Sequence, residues 1–368
     1  MKAQRAWTVV LSNLACLSLL AGLAAWAAPA KGEPTGVATI IRHDPRFDQL
    51  VPKGAMLEMI ADGFTWVEGP VWDRKEQALL FSDIPANAVF KWKEGEGAKP
   101  FLAPSGYTGT VPFTGKEPGS NGLTFDANGR LVLCKHGDRQ IARLEANGTF
   151  TVLADRYDGH RINSPNDLVI KSTGEIYFTD PPFGLPKAFD DTGKAPIQGV
   201  YRVSRDGNVT LLIKDLKAPN GIAFSPDQKK LYISNADPMN AVWMVFDVKA
   251  DGTIENGKVL FNATAWTKSK PGVPDGMTID VEGGLWVALW SGGAVHRYLD
   301  GHLDRVITMP VSQPTSCAFG GDNFDELFVT SASDGLSAEE RAAQPLAGAV
   351  FRLRPGVRGL PPASYIGA

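Results

Sequence analysis

Three cysteines in 368 residues are too few for a disulfide scaffold or a thiolate zinc site, both of which use cysteines in sets. The five histidines are scattered, at His43, His136, His160, His296 and His302, rather than grouped at metal-ligand spacing. No block of Lys and Arg breaks a sequence whose formal net charge is -3. A nucleic-acid partner is therefore not expected, because phosphate neutralisation needs such a block. No Ser lies in a Gly-x-Ser-x-Gly elbow and no Cys-His pair stands at a recognised spacing, which leaves acyl-enzyme chemistry unsupported. Sustained helical period is missing too. Residues 337–344, SAEERAAQ, read as one or two turns within a loop.

What is present is turn chemistry. With 39 Gly, 26 Pro, 43% hydrophobic and 21% charged residues, the composition fits a turn-rich, all-β globular chain. The N-terminus differs. Lys2 and Arg5 precede a run from 6 to 30 without a charge, closed by Ala25-Trp26-Ala27 and Ala28-Pro29-Ala30, each with small residues at signal-peptidase spacing. Residues 1–30 thus read as an export signal, 31–55 as a leader over the surface, and 56–368 as the folded body. The expected location is outside the inner membrane, in the periplasm, with no stable membrane association after cleavage. A retained anchor is the competing reading, since 25 uncharged residues could span a bilayer; Ser12, Asn13 and the Ala-rich end favour cleavage.

The body repeats. Residues 273–298, VPDGMTIDVEGGLWVALWSGGAVHRY, hold an acidic residue, a Gly, an alternating strand, a Gly turn and two further strands, one antiparallel meander. The same plan opens at Glu68, Asn121, Asn166, Asn220, Asp275 and Thr315, at spacings of 53, 45, 54, 55 and 40 residues. A period near fifty with several short strands per unit predicts a six-bladed β-propeller. The apolar stretch MLEMI, residues 56–60, is the candidate strand that pairs with GAVFRL, residues 348–353, to close the ring. Cys134 and Cys317 fall in the second and sixth copies, too far apart to bridge. Both are expected as buried free thiols.

Rotational equivalence then places the six opening residues at one depth around the axis, every one an oxygen donor. A ring of carboxylate and amide oxygens suits a hard divalent cation, Ca²⁺ ahead of Mg²⁺, with Zn²⁺ also open because oxygen donors select weakly. Asn-Gly and Asp-Gly are also common hairpin dipeptides, so turn chemistry is the plainer alternative for any one copy. Glu68 weighs against it, being a poor turn residue in the same register. Two long insertions, residues 102–120 and 181–199, are expected to wall the metal end of the channel. Trp72, Trp92, Trp243 and Trp286 fall at repeat positions as wedges between blades, whereas Phe113, Phe183 and Trp290 are the better pocket candidates.

The segments EGPVWDRKEQALLFSDIP, NGLTFDANGRLVLCKHGDRQIARL, SPNDLVIKSTGEIYFTDPPFGL, PNGIAFSPDQKKLYISNAD and VPDGMTIDVEGGLWVA together resemble the family that groups gluconolactonases with senescence marker protein 30 and luciferin-regenerating enzyme. The likeness runs from about residue 60 to about 355, and CKHGDRQIARL and FTDPPFGL resemble the bacterial gluconolactonase branch. The resemblance implies a six-bladed propeller with one axial divalent metal held by a Glu, two Asn and an Asp, which fall here on Glu68, Asn166, Asn220 and Asp275. Asn121 and Thr315 are then free to face substrate or water. Animal members carry an Arg two residues before the third-copy Asn; this chain has Ser164 there, and Arg161 or His160 could take that place.

The implied activity is metal-dependent opening of a sugar lactone such as glucono-1,5-lactone. A bound cation would polarise the carbonyl, and Asp275 is the candidate base through its second carboxylate oxygen. His136 could bond a sugar hydroxyl or shuttle a proton, or be satisfied by backbone; His296 reads as structural. Other lactones, organophosphate esters, or a non-catalytic ligand-binding propeller with a structural metal are the alternatives.

Overall fold

The computed structural model describes residues 40–42, 57–185, 197–214, 216–264 and 272–361. The expected export signal and most of the leader lie outside the described residues, as does the middle of the second insertion. Six antiparallel sheets of consecutive strands dominate the chain. Their innermost strands are Val67–Asp73, Ser120–Phe125, Leu168–Ile170, Pro219–Phe224, Val273–Ile279 and Pro314–Gly320. Each touches the next in order, and the sixth touches the first. The arrangement is the expected six-bladed propeller.

Ring closure follows the sequence reading. Glu58–Ala61 forms the outermost strand of the sixth sheet, antiparallel to Val350–Leu353, with Glu58 opposite Arg352 and Met59 opposite Phe351. Arg352 also holds the Glu58 carboxylate at 2.7 Å. That ion pair is half exposed and worth at most about 1 kcal/mol. The backbone ladder and the burial of Ala61, Val350 and Phe351 carry most of the closure. One strand was not anticipated: Ile40–Arg42, within the leader, pairs antiparallel with residues 305–307 on the outer edge of the fifth blade. The short helix Ala338–Ala343 starts at Ser337 in a capping box with Glu340, matching the expected turn or two.

Aromatic residues join the blades as predicted. Trp72 and Trp92 of the first blade pack on Phe328 of the sixth, Trp243 of the fourth on Tyr298 of the fifth, and Trp286 of the fifth on Phe319 of the sixth. Trp243 and Trp286 are fully buried, and each such side chain contributes roughly 1.5–3 kcal/mol by leaving water. Cys134 and Cys317 are buried free thiols in separate apolar clusters.

At the axis the repeat has a specific backbone form. In five blades the innermost strand carries one extra residue over its partner: between Glu68 and Val71, Ser120 and Leu123, Pro219 and Ile222, Pro274 and Met277, and Pro314 and Cys317. Such bulges re-aim side chains and recur beside functional sites. The Asn-Gly and Asp-Gly pairs therefore sit within strands, not at hairpin tips. Their glycines permit close approach between blades: a Cβ on Gly69 would lie 2.2 Å from the Asn121 carbonyl oxygen, and one on Gly221 would lie 2.5 Å from that of Asp275.

Candidate functional site: an acidic axial cavity

Five of the six opening residues meet at one cavity of about 330 Å³, four of them from bulged strands and Asn166 from just ahead of a strand without a bulge. It is lined by Glu68, Asn121, Asn166, Asn220 and Asp275, with Glu117, Trp66, Phe183, Trp290, Ala236 and Val273 completing the wall. Second-strand hydroxyls fix the ring backbone. Ser82 donates to the carbonyl of Asn121 and Ser234 to that of Asp275, while the Asn166 amide donates to Thr179 at 2.8 Å. Asn121 and Asp275 are thus held through their backbones by the preceding blade, and Asn166 by its own.

Thr315 departs from that pattern. Its hydroxyl donates to the Val67 carbonyl and shares a hydrogen bond with Thr330, and it does not line the cavity. The sequence reading left it free for substrate or water; a threonine hydroxyl is short enough to satisfy itself on the neighbouring backbone.

The electrostatics are those of an uncompensated anionic pocket. Glu68 and Asp275 are each 5% exposed. Burial holds the Glu68 carboxyl well above the usual range, and the charges of Asp275 and Asp167 push it the same way. Burial also raises Asp275, against a hydrogen bond from the Asn220 side chain that lowers it, while Asp167 adds to the rise. No Lys or Arg is among the described residues that line the cavity. Two buried carboxylates without a cation are costly, and a bound divalent ion removes that cost.

The donor set fits such an ion. No His or Cys is among the described residues that line the cavity, and among the described residues no group of three or more His, Cys, Asp and Glu side chains stands ready to hold a metal. Three carboxylates, of Glu68, Asp275 and Glu117, with amide oxygens are what the pocket presents, and hard cations prefer these donors.

The other sequence candidates fall in different places. His136 is fully buried and does not line the cavity; its Nδ1 lies 3.0 Å from Oε2 of Glu117, which does. That approach is off-axis, leaving both ring nitrogens without a well-aligned hydrogen bond among the described residues. Arg161 sits in a two-residue strand paired with Arg156–Tyr157, and its guanidinium donates to the Asp138 carbonyl at 2.6 Å. Arg161 and His160 are absent from the described lining, so neither takes the place at which Ser164 replaces the animal Arg. Ser164 instead donates to the Pro181 carbonyl. His296 is buried against the Tyr298 hydroxyl at 3.0 Å, as a structural residue would be.

Among the described residues each insertion contributes one side chain to the cavity, Glu117 from the first and Phe183 from the second. Phe113 instead packs on Tyr107 within its own loop. Trp66 and Trp290 meet at 4.9 Å between ring centroids and form an aromatic wall. Sequence reasoning missed Glu117. The available signal was that it is the sole carboxylate in residues 102–120.

The sequence pattern of the SMP-30/Gluconolactonase/LRE-like region matches residues 66–333, a span that includes all six blade openings. The chain belongs to this family. A gluconolactonase of Zymomonas mobilis is 34% identical over 88% of this chain and 92% of its own length. Regucalcin of Bos taurus is 30% identical over 82% of this chain and 94% of its own. A solved gluconolactonase from Xanthomonas campestris superimposes with a TM-score of 0.69 at 30% identity, covering 89% of this chain and 96% of that one. Family members share the propeller, and the axial cavity occupies its centre.

Proposed function

We propose that the protein is a metal-dependent lactonase that opens a sugar lactone, with glucono-1,5-lactone as the first substrate to test. The observation that carries this reading is the convergence of Glu68, Asn166, Asn220 and Asp275 on one buried cavity in a chain whose relatives include gluconolactonases. Those four residues would hold the cation, Ca²⁺ ahead of Mg²⁺ or Zn²⁺ on donor hardness. A divalent cation there supplies a Lewis acid for the lactone carbonyl oxygen.

The remaining steps belong to the chain. Asn121 lines the cavity with an amide that no described ligand role requires, and it can orient a hydroxyl or the carbonyl of the substrate. Trp66, Phe183 and Trp290 provide aromatic rings in the wall on which a substrate ring face can stack. Their bulk and the cavity volume of about 330 Å³ limit the substrate to about the size of a monosaccharide lactone. This aromatic share of the wall also favours lactones less polar than an aldonolactone, which makes a substrate panel necessary. The uncharged run after Lys2 and Arg5 supports export, so the lactone would be met in the periplasm.

The test is acid release from glucono-1,5-lactone and a panel of other five- and six-membered lactones at constant pH, with calcium and with chelator, corrected for spontaneous opening. Calcium-dependent hydrolysis above the blank is expected. A rate equal to the blank for every lactone, in protein that binds the metal, sinks the reading.

A further inference from the structure

We propose that Glu117 is the catalytic base of this hydrolysis and that His136 is its positioning residue. The inference deepens the lactonase reading and rests on it. Three observations point to the pair. Glu117 lines the cavity together with the Glu-Asn-Asn-Asp quartet, yet comes from the insertion and not from the ring. Its negative charge is felt by both Glu68 and Asp275, so it shares their enclosure. Its Oε2 is 3.0 Å from Nδ1 of His136, a side chain with 0% exposure and no other described partner.

The loop is built to place that carboxylate. Asn87 Oδ1 accepts from the backbone of Ser105, Gly106 and Tyr107, with Gly106 at 2.8 Å. The Tyr107 amide donates to Pro118 at 2.6 Å and Gly119 to Ile84 at 3.0 Å. Thr108 is tied to Asp138 through both backbone and hydroxyl. On the far side, a Cβ on Gly137 would stand 2.5 Å from the Pro118 carbonyl, and one on Gly184 would lie 2.8 Å from the His136 ring. Glu117 is thereby fixed from both flanks of the loop, and His136 is pressed towards it by its packing. Fixed geometry of this kind is what general-base catalysis needs.

Chemistry favours Glu117 over Asp275 for the role. Asp275 already accepts from the Asn220 side chain and the Gly276 amide, and as a cation ligand it gives up basicity. Glu117 has no such commitment. In the step, a water oxygen attacks the lactone carbonyl carbon while Glu117 takes one of the water protons. The carbonyl carbon to ring-oxygen bond then breaks, and the departing oxygen receives that proton back from Glu117. Water and lactone become the open hydroxy acid, with Glu117 returned as carboxylate. His136, with its proton on Nδ1, donates to Oε2 and holds the other oxygen towards the water; apo contacts of this type are often poorly aligned and tighten with substrate.

The experiment compares wild type, Glu117→Gln, Glu117→Ala and His136→Gln in the full chain, each checked for melting temperature and for calcium affinity by calorimetry. Glu117→Gln should lose roughly 10²- to 10⁴-fold in kcat, with the acidic limb of the pH–rate profile gone and calcium affinity within about twofold of wild type. Formate should restore part of the rate to Glu117→Ala, which a merely structural role would not allow. His136→Gln should lose about tenfold in kcat, with KM and calcium affinity within about twofold of wild type. Glu117→Gln at half the wild-type kcat or more, or a large loss of calcium affinity without rescue by formate, overturns the assignment. A wild-type chain inactive on all lactones overturns the lactonase reading itself, which separates the two failures.

Discussion

Gly69 of the first blade lies against Asn121 of the second so closely that a Cβ would be 2.2 Å from the Asn121 carbonyl oxygen. Gly69 also has φ +54, so alanine there meets both backbone strain and a collision with neighbouring main chain. Gly69→Ala is expected to cost roughly 2–4 kcal/mol in urea unfolding. Gly63→Ala is the control: φ is +86 and nothing lies within 4 Å, so about 1–2 kcal/mol is expected. Equal losses at the two sites would show that blade contact is not what Gly69 serves.

Direct ligation by the two ring carboxylates should govern calcium binding. Glu68→Gln and Asp275→Asn each remove one of the two ring carboxylates, and each should weaken calcium by about tenfold or more, about 1.4 kcal/mol. Thr315→Ala should leave affinity unchanged while lowering stability, because its hydroxyl is spent on Val67 and Thr330. Calorimetric titration of the three variants decides it; a Thr315→Ala loss equal to that of Glu68→Gln would contradict the geometry.

Saturating calcium should also raise the melting temperature. At a hundredfold excess over Kd the linkage term is about 2.7 kcal/mol, and chelator should reverse the shift. A melting temperature indifferent to both would mean that the acidic cavity does not hold the ion.

Asp180 gives the stability a pH dependence. It is fully buried, accepts from the Asn163 amide at 2.7 Å, and has its other oxygen unpartnered; burial raises its pKa to about 7. Between the unfolded value near 4 and about 7, the folded protein holds a proton that the unfolded chain releases. Its contribution is therefore complete below pH 4 and is lost as pH climbs towards 7, by at most about 4 kcal/mol. Asp180→Asn should flatten that part of the curve of unfolding free energy against pH, measured at constant calcium. An unchanged slope would remove Asp180 as its source.

Trp286 tests the wedge between the fifth and sixth blades. It is fully buried, packs on Phe319, and its indole N–H donates to Asp280 at 2.7 Å. Trp286→Ala should cost about 3–5 kcal/mol and Trp286→Phe less, read from denaturant midpoints. Equal costs would place the value of the residue in the hydrogen bond rather than in the ring.

The sequence disclosed what recurs and hid what occurs once. Glu68, Asn121, Asn166, Asn220 and Asp275 were legible because register fixes their depth, and the inter-blade tryptophans because they repeat with it. Thr315 shared the register but not the outcome, since a hydroxyl can bond the nearest carbonyl where a longer amide or carboxylate must reach on. Arg161 is near Asn166 in sequence, yet the small hairpin at residues 156–161 directs its guanidinium to Asp138. Glu117 has no repeat equivalent, and its place depends on a loop whose ties to Asn87 and Asp138 span tens of residues. Ile40–Arg42 is too short for an alternating pattern to register.

The sixth sheet joins Glu58–Ala61 to Val350–Leu353, almost the two extremities of the described chain. Synthesis must therefore have passed Leu353 before the last blade can be assembled. Any product terminated upstream of residue 350 leaves the Glu326–Ser331 strand with an unsatisfied edge, open to pairing with other polypeptides. Such fragments should aggregate or be degraded rather than accumulate as smaller working proteins, which ties the integrity of the whole ring to the strand Val350–Leu353.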